Sequence, residues 1–283
     1  MGSTRKTAVV TGVLFLVTEV AAIGGLVLYG PVLHDAGYVL GPGADTRVFL
    51  GALCELVLAL AVIGTGVALY PVVKRQNEGA ALGYVCGRLL EAAVIVVGII
   101  SVLSVVTLRR ESAGAPGGDA ASLVTAADAL VAIHDRTFLL GPDFVLGANT
   151  LVLACLMYRS RLVPRPLAAL GLVGGALICA SATAVLFGLY EQVSDAGTLA
   201  ALPVFAWEVG LAIRLLAKGF SGAGGTAAGG TAAGGTAAEG TVAGGTVAEA
   251  AAGGSGEPAQ LANTCEKWAA SPETVGGHSL APR

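Results

Sequence analysis

Charge is what this sequence is most short of. Only 12% of its 283 residues are Asp, Glu, Lys or Arg, against about 25% in an average soluble domain. So few polar groups cannot cover a water-facing surface, which excludes a soluble globule. The net charge of −3 is small and points to no nucleic-acid partner. Catalytic patterns are also missing. There is no H-E-x-x-H, no G-x-S-x-G and no phosphate-binding loop. Gly64-Thr65-Gly66 lies inside an apolar run and lacks the rest of such a loop. Three histidines, His34, His134 and His278, are thin provision for metal chemistry. The five cysteines form no C-x-x-C. Cys54, Cys86, Cys155 and Cys179 lie in apolar runs and read as small buried residues rather than a disulfide framework. The expectation is no catalytic residue, no metal site and no cofactor.

Long apolar runs take the place of the missing charge. The chain is 55% hydrophobic, and its mean hydropathy is +0.79. A bilayer core of about 30 Å needs about 20 apolar residues in a helix. Six runs meet that requirement, at about 7–29, 48–70, 84–108, 137–158, 166–189 and 198–218. The first follows Arg5 and Lys6 as a signal peptide would. Its apolar stretch exceeds the usual 7–15 or so residues and more runs follow, so an uncleaved span is expected. Gly30-Pro31, Gly41-Pro42-Gly43 and Gly114 to Gly118 punctuate the loops, and Pro71 closes the second span. From 221 the composition changes to a five-residue repeat of Gly, Thr and small apolar residues. Such a segment has too little bulky side chain to offset its ordering entropy, so residues 221–283 are expected to be a disordered tail.

Loop charges set the expected orientation. One set of loops holds Arg5, Lys6, Lys74, Arg75, Arg159, Arg161, Arg165 and Lys218. The other holds Arg47, Arg109, Arg110 and Arg136. The richer set is expected to be cytoplasmic, with both termini inside. An even span count requires the termini to share a side. Arg109 and Arg110 fit least well.

Six of the ionisable residues inside the runs are candidate site residues: Glu19, Glu55, Arg88, Glu91, Asp143 and Glu208. Such residues are costly in lipid and face the bundle interior or a water-filled cavity. Arg88 and Glu91, three positions apart on one helix, share a face. Arg88 is expected to neutralise Glu91 or an acid on a neighbouring helix, with its stem reaching toward the cytoplasmic interface. With Arg88 paired to one acid, four acids remain without a base among these six residues. Each must be neutralised, face water, hold a cation or hydrogen-bond a neighbouring helix. Asn149, Thr18, Thr65, Ser101 and Ser104 are the candidate partners. At 1.5 Å rise per residue the acids are staggered, from about 10 Å for Glu91 to about 22 Å for Glu55 and Asp143, measured from the cytoplasmic side. Proton relays and ion pathways use that placement. Gly171 and Gly175 form a G-x-x-x-G that suits close packing within the bundle or between subunits. His134-Asp135-Arg136 precedes the fourth run on the outer side and reads as an interfacial loop cluster, the alternative being the lining of a solute vestibule.

The stretches LYGPVL (28–33), GADTRV (43–48), LYPVVKRQNEGAALGYV (69–85), RLLEAA (88–93), HDRTFLLGP (134–142), YRSRLVPR (158–165) and PVFAWE (203–208) resemble a family of bacterial membrane proteins. It is the group named domain-of-unknown-function 4386. The resemblance covers about residues 4–220 and leaves out the repeat tail. It implies a multi-pass plasma-membrane protein and carries no known activity or site residues.

The expected fold is therefore an all-α integral membrane bundle of six spans over 1–220, with the low-complexity tail after it. The expected role is structural or regulatory in the bacterial plasma membrane, the buried acids serving as interhelical hydrogen-bond partners. The alternative is a proton- or cation-coupled carrier of a small solute, using the staggered carboxylates. An intramembrane enzyme lacks a nucleophile–base or metal pattern. The lipid bilayer is the expected partner, with a homo-oligomer through the Gly171/Gly175 face, or a small solute or cation, as further candidates.

Overall fold

The computed structural model describes residues 3–35, 37–114 and 119–221. The expectation of a disordered tail falls on residues outside these. Seven α-helices fill the described chain: α1 (Ser3–His34), α2 (Asp45–Val73), α3 (Glu78–Gly114), α4 (Ala120–Phe138), α5 (Leu146–Ser160), α6 (Arg165–Leu186) and α7 (Asp195–Lys218). A π-helical turn, Leu139–Val145, joins α4 to α5. The two helices and the turn act as one rod, Ala120–Ser160, so six helical rods are long and apolar enough to cross a membrane. No strand occurs among the described residues. The fold is an all-α, six-span membrane bundle.

Lipid explains the surface. Val20 and Leu60 are 72% and 62% exposed, and helices apolar on every side belong in a membrane rather than in water. The helices pack in a ring. α1 lies against α2 and α7, α2 against α3, α3 against α4 and α5, α5 against α6, and α6 against α7.

Several elements run beyond their expected bounds, for local reasons. Asn77 starts α3 early, its Oδ1 accepting the Ala80 amide at 2.8 Å. Asp119 caps α4 the same way, accepting from the Ala121 amide at 3.2 Å and the Ser122 hydroxyl at 2.7 Å. The Ser122 and Ala121 bonds hold its carboxyl below the usual carboxylate range. The fourth rod thus begins at Ala120 instead of 137. The prolines do not break α1 and α2 where expected. Pro31 lies inside α1 and Pro71 inside α2. A proline has no N–H for the carbonyl four residues back. At Pro31 that carbonyl is Val27 O, and Arg47 of α2 supplies the missing donor at 2.8 Å. The fifth run ends at Leu186, three residues early, because Gly188 takes a positive φ of 73° and turns the chain.

Both faces of the bundle are knitted. On one, Arg5 of α1 donates to the last-turn carbonyls of α7, Leu215 O at 3.0 Å and Leu216 O at 2.6 Å. The start of α1 and the end of α7 therefore share a face. On the other, Asp45 receives Arg109 Nε at 2.9 Å, Arg109 Nη2, Arg110 Nε at 2.7 Å and the Tyr38 hydroxyl at 2.9 Å. The two arginines that fitted least well are held by an acid.

The Gly171/Gly175 stripe is used inside the chain. A Cβ on Gly171 would stand 2.6 Å from the Trp207 ring of α7 and 2.9 Å from Ala154 of α5. One on Gly175 would stand 2.9 Å from Gly147 O of α5. Cys54, Cys86 and Cys179 are free thiols. None of these three is fully buried and Cys86 is exposed, which corrects their reading as small buried residues.

Candidate functional site

Arg88 is the centre of the polar interior. Its position on α3 faces the middle of the ring, and it is 3% exposed. It does not reach toward the interface as expected, because acids on two helices meet it inside. Nη1 donates to Glu91 Oε1 and Oε2 at 3.1 and 3.0 Å. Nη2 donates to Glu208 Oε1 of α7 at 3.2 Å. Nε donates to the Tyr84 hydroxyl at 3.1 Å, one turn back on α3. The Phe15 ring of α1 lies 5.7 Å from the guanidinium carbon. Asn149 of α5 extends the set by donating to Glu91 Oε2 at 3.1 Å. Gly87 makes room for it, since any Cβ there would collide with the Asn149 amide. Arg88, Glu91, Glu208 and Asn149 are all buried.

Glu19 of α1 is half-buried. It lies beside Glu208 and within electrostatic reach of Arg88. Its Oε1 is buried with no hydrogen-bond partner among the described residues. One guanidinium thus faces three carboxyl groups. If all three ionised, two negative charges would remain to be neutralised.

The other two acids lie elsewhere. Glu55 of α2 is 8% exposed, and its Oε1 stands 3.8 Å from His134 Nε2. His134 is itself 5% exposed. The Tyr29 ring of α1 meets its imidazole edge-on at 5.6 Å. The Tyr29 hydroxyl faces Glu55 without a hydrogen bond of ordinary geometry. Asp143 sits on the π-helical turn and accepts from Gln192 Nε2, in the α6–α7 connection, at 2.6 Å. Pro142 in that turn lacks an N–H, which favours the widened geometry.

The six expected residues therefore form no single line across the bundle. Four converge at Arg88, and Glu55 and Asp143 occupy separate sites. Of the expected polar partners only Asn149 meets an acid. Thr18, Thr65 and Ser104 bond carbonyls of their own helices. Ser101 donates to Leu130 O of α4 at 2.6 Å. His134-Asp135-Arg136 is not a loop cluster, because α4 has already run for fourteen residues when it reaches His134.

A cavity of about 640 Å³ opens beside His134. It lies between α1, α4, α6 and the α6–α7 connection. Apolar walls come from Leu26, Leu33, Phe138 and Val185, and polar groups from His134, Glu191 and Gln192 among others. None of the six expected residues lines it, but two stand directly behind its wall. Glu55 touches His134 and Asp143 touches Gln192. Among the described residues, no three His, Cys, Asp or Glu side chains are arranged to hold a metal ion.

Tyr84 was not singled out by sequence reasoning, whereas His134, Asp135 and Arg136, the alternative vestibule lining, do line this cavity. Tyr84 was legible, since it stands four residues before Arg88 on one helix face. His134 was legible through the helical run AASLVTAADALVAI that leads to it from the Asp119 cap.

The family model described as domain of unknown function (DUF4386) matches residues 10–219. No curated protein and no solved structure matches the chain.

Proposed function

The chain belongs to the DUF4386 family, a domain of unknown function, and we propose that it is a structural or regulatory protein of the bacterial plasma membrane. Its inner acids act as helix connectors. One observation carries this reading: the buried guanidinium of Arg88 bonds to α3 and α7, and through Glu91 to α5. Such a network fixes which helix faces meet, a specificity role that buried ion sets can serve. The proposal assigns no catalytic activity and rests there on the missing nucleophile and metal patterns. The orientation puts both termini in the cytoplasm, following the excess of Lys and Arg in the loops on that face.

The test is unfolding of the purified protein with a panel of cations and small solutes. Wild type is run beside Glu91→Gln and Glu208→Gln. Connectors predict lower midpoints for both variants, with the response to solutes unchanged from wild type. A solute that stabilises wild type and loses its effect in Glu208→Gln would overturn the connector reading of these acids, by mass action on a native-state site.

A second reading, a carrier coupled to protons or cations, is favoured by the cavity beside His134 and the Glu55 carboxyl behind it.

A further inference from the structure

The cavity beside His134 has the size and lining of a ligand site. Small-molecule pockets span roughly 300–1,000 Å³, with mostly apolar walls and a few convergent polar groups. At about 640 Å³ this one falls inside that range. It is also held in shape on two sides. The Tyr190 hydroxyl donates to Ser181 Oγ at 2.8 Å, tying the α6–α7 connection to α6. Gln192 ties the same connection to Asp143 at 2.6 Å. His134 is held from behind by Glu55 at 3.8 Å and by the Tyr29 ring. A site built this way needs little reordering to bind.

Its charge selects the ligand. Asp135 and Glu191 stand on the lining, and Glu55 and Asp143 stand just behind it. Against these four acids the lining offers one arginine, Arg136, which is exposed to solvent, and two histidines, His34 and His134, the latter between Glu55 at 3.8 Å and Asp135 at 3.5 Å, so the acids stay in excess. Clefts lined by one sign of charge with low-dielectric walls concentrate the opposite ion. An anion meets four carboxyl groups here. A bare metal ion meets no arranged set of three ligands among the described residues. The rings of Phe138 and Tyr190, both on the lining, suit a cation that carries its own apolar surface.

We propose that this cavity is a binding site for a small organic cation of the alkylammonium or phosphonium type. The assignment concerns binding, and it stands whether or not the cation crosses the bundle.

The test is calorimetric titration of the full chain in dodecyl maltoside with tetraethylammonium and with tetraphenylphosphonium. Benzoate and glucose serve as anionic and neutral controls, and size-exclusion profiles check folding. Wild type should bind at least one of the two cations saturably and neither control. Val185→Trp, which fills the cavity without touching a charge, should abolish binding. Glu191 and Arg136 are both exposed, so their variants spare the interior. Glu191→Gln should weaken binding by about threefold and Arg136→Gln should tighten it by about the same, as expected for a solvent-screened charge near the ligand. Opposite signs from two surface neutralisations are not produced by a purely structural effect. The proposal is overturned if neither cation saturates a folded wild type, if benzoate binds as well, if Val185→Trp binds normally, or if the two charge variants leave affinity unchanged.

Discussion

Arg88 uses every nitrogen of its guanidinium: Nε on Tyr84, Nη1 on Glu91 and Nη2 on Glu208. Removing one member of a buried ion set leaves an uncompensated charge, and costs about 3–5 kcal/mol. Arg88→Leu should therefore lower unfolding stability by about that amount, measured by denaturant titration in detergent. Replacing the whole set is different, because a well-packed apolar substitute is near neutral. Arg88→Leu combined with Glu19→Leu, Glu91→Leu and Glu208→Leu should recover most of the loss. A quadruple variant no more stable than Arg88→Leu alone would contradict the network described for this residue. Arg88→Lys keeps the charge but has a single nitrogen in place of the planar fork. It should restore only part of the stability, since it cannot reach Tyr84, Glu91 and Glu208 together.

The helices are fitted to one another by small residues and by backbone groups that proline leaves free. Gly171 lets α6 approach both Trp207 of α7 and Ala154 of α5. Gly171→Leu should force those helices apart and destabilise by about 1–3 kcal/mol, as overpacking does. Gly83 is exposed and has nothing within 4 Å of a built Cβ. Gly83→Leu should unfold close to wild type in the same thermal assay. Equal losses for the two would remove the assigned contact of α6 with α7. Arg47 fills the other kind of gap, donating to the Val27 carbonyl that Pro31 leaves without a partner. That contact is exposed, so Arg47→Ala should cost only about 1 kcal/mol in the same unfolding assay.

For the whole molecule, the two knitted faces differ in charge and in pH response. The face of Arg5 and Lys74 is assigned to the cytoplasm. A membrane-impermeant maleimide added to intact cells should then label Ala44→Cys and not Asn77→Cys, in a background without the native thiols. The reverse pattern would invert the assigned orientation. On the opposite face, burial and the bond to Asp45 push the Tyr38 phenol up to about 12 from its ordinary 10.0. The folded chain keeps this proton while the unfolded chain loses it. Stability contributed by Tyr38 is thus complete below about pH 10 and is lost as pH rises toward 12. Tyr38→Phe should remove that part of the alkaline loss, read as a flatter dependence of unfolding midpoint on pH through that window.

Composition and run length alone determined the membrane class, the number of spans and the shared side of the two ends. The reason is that lipid imposes a fixed helix length and forbids unpaired backbone. The Arg88–Glu91 pair was equally legible, since it depends only on helical spacing within one element. Asn149 was legible as a partner for some acid, but that it serves Glu91 was not, nor was the choice of Glu208 as the second acid or the separation of Glu55 and Asp143 from that centre. Depth along a helix can be counted from the sequence. The direction a side chain faces around the ring depends on how each helix is rotated against its neighbours, and only tertiary packing decides it. The cavity beside His134 belongs to the same class. It exists because α1, α4, α6 and the α6–α7 connection fail to close on one another at that level, and no single stretch of the chain encodes such a gap.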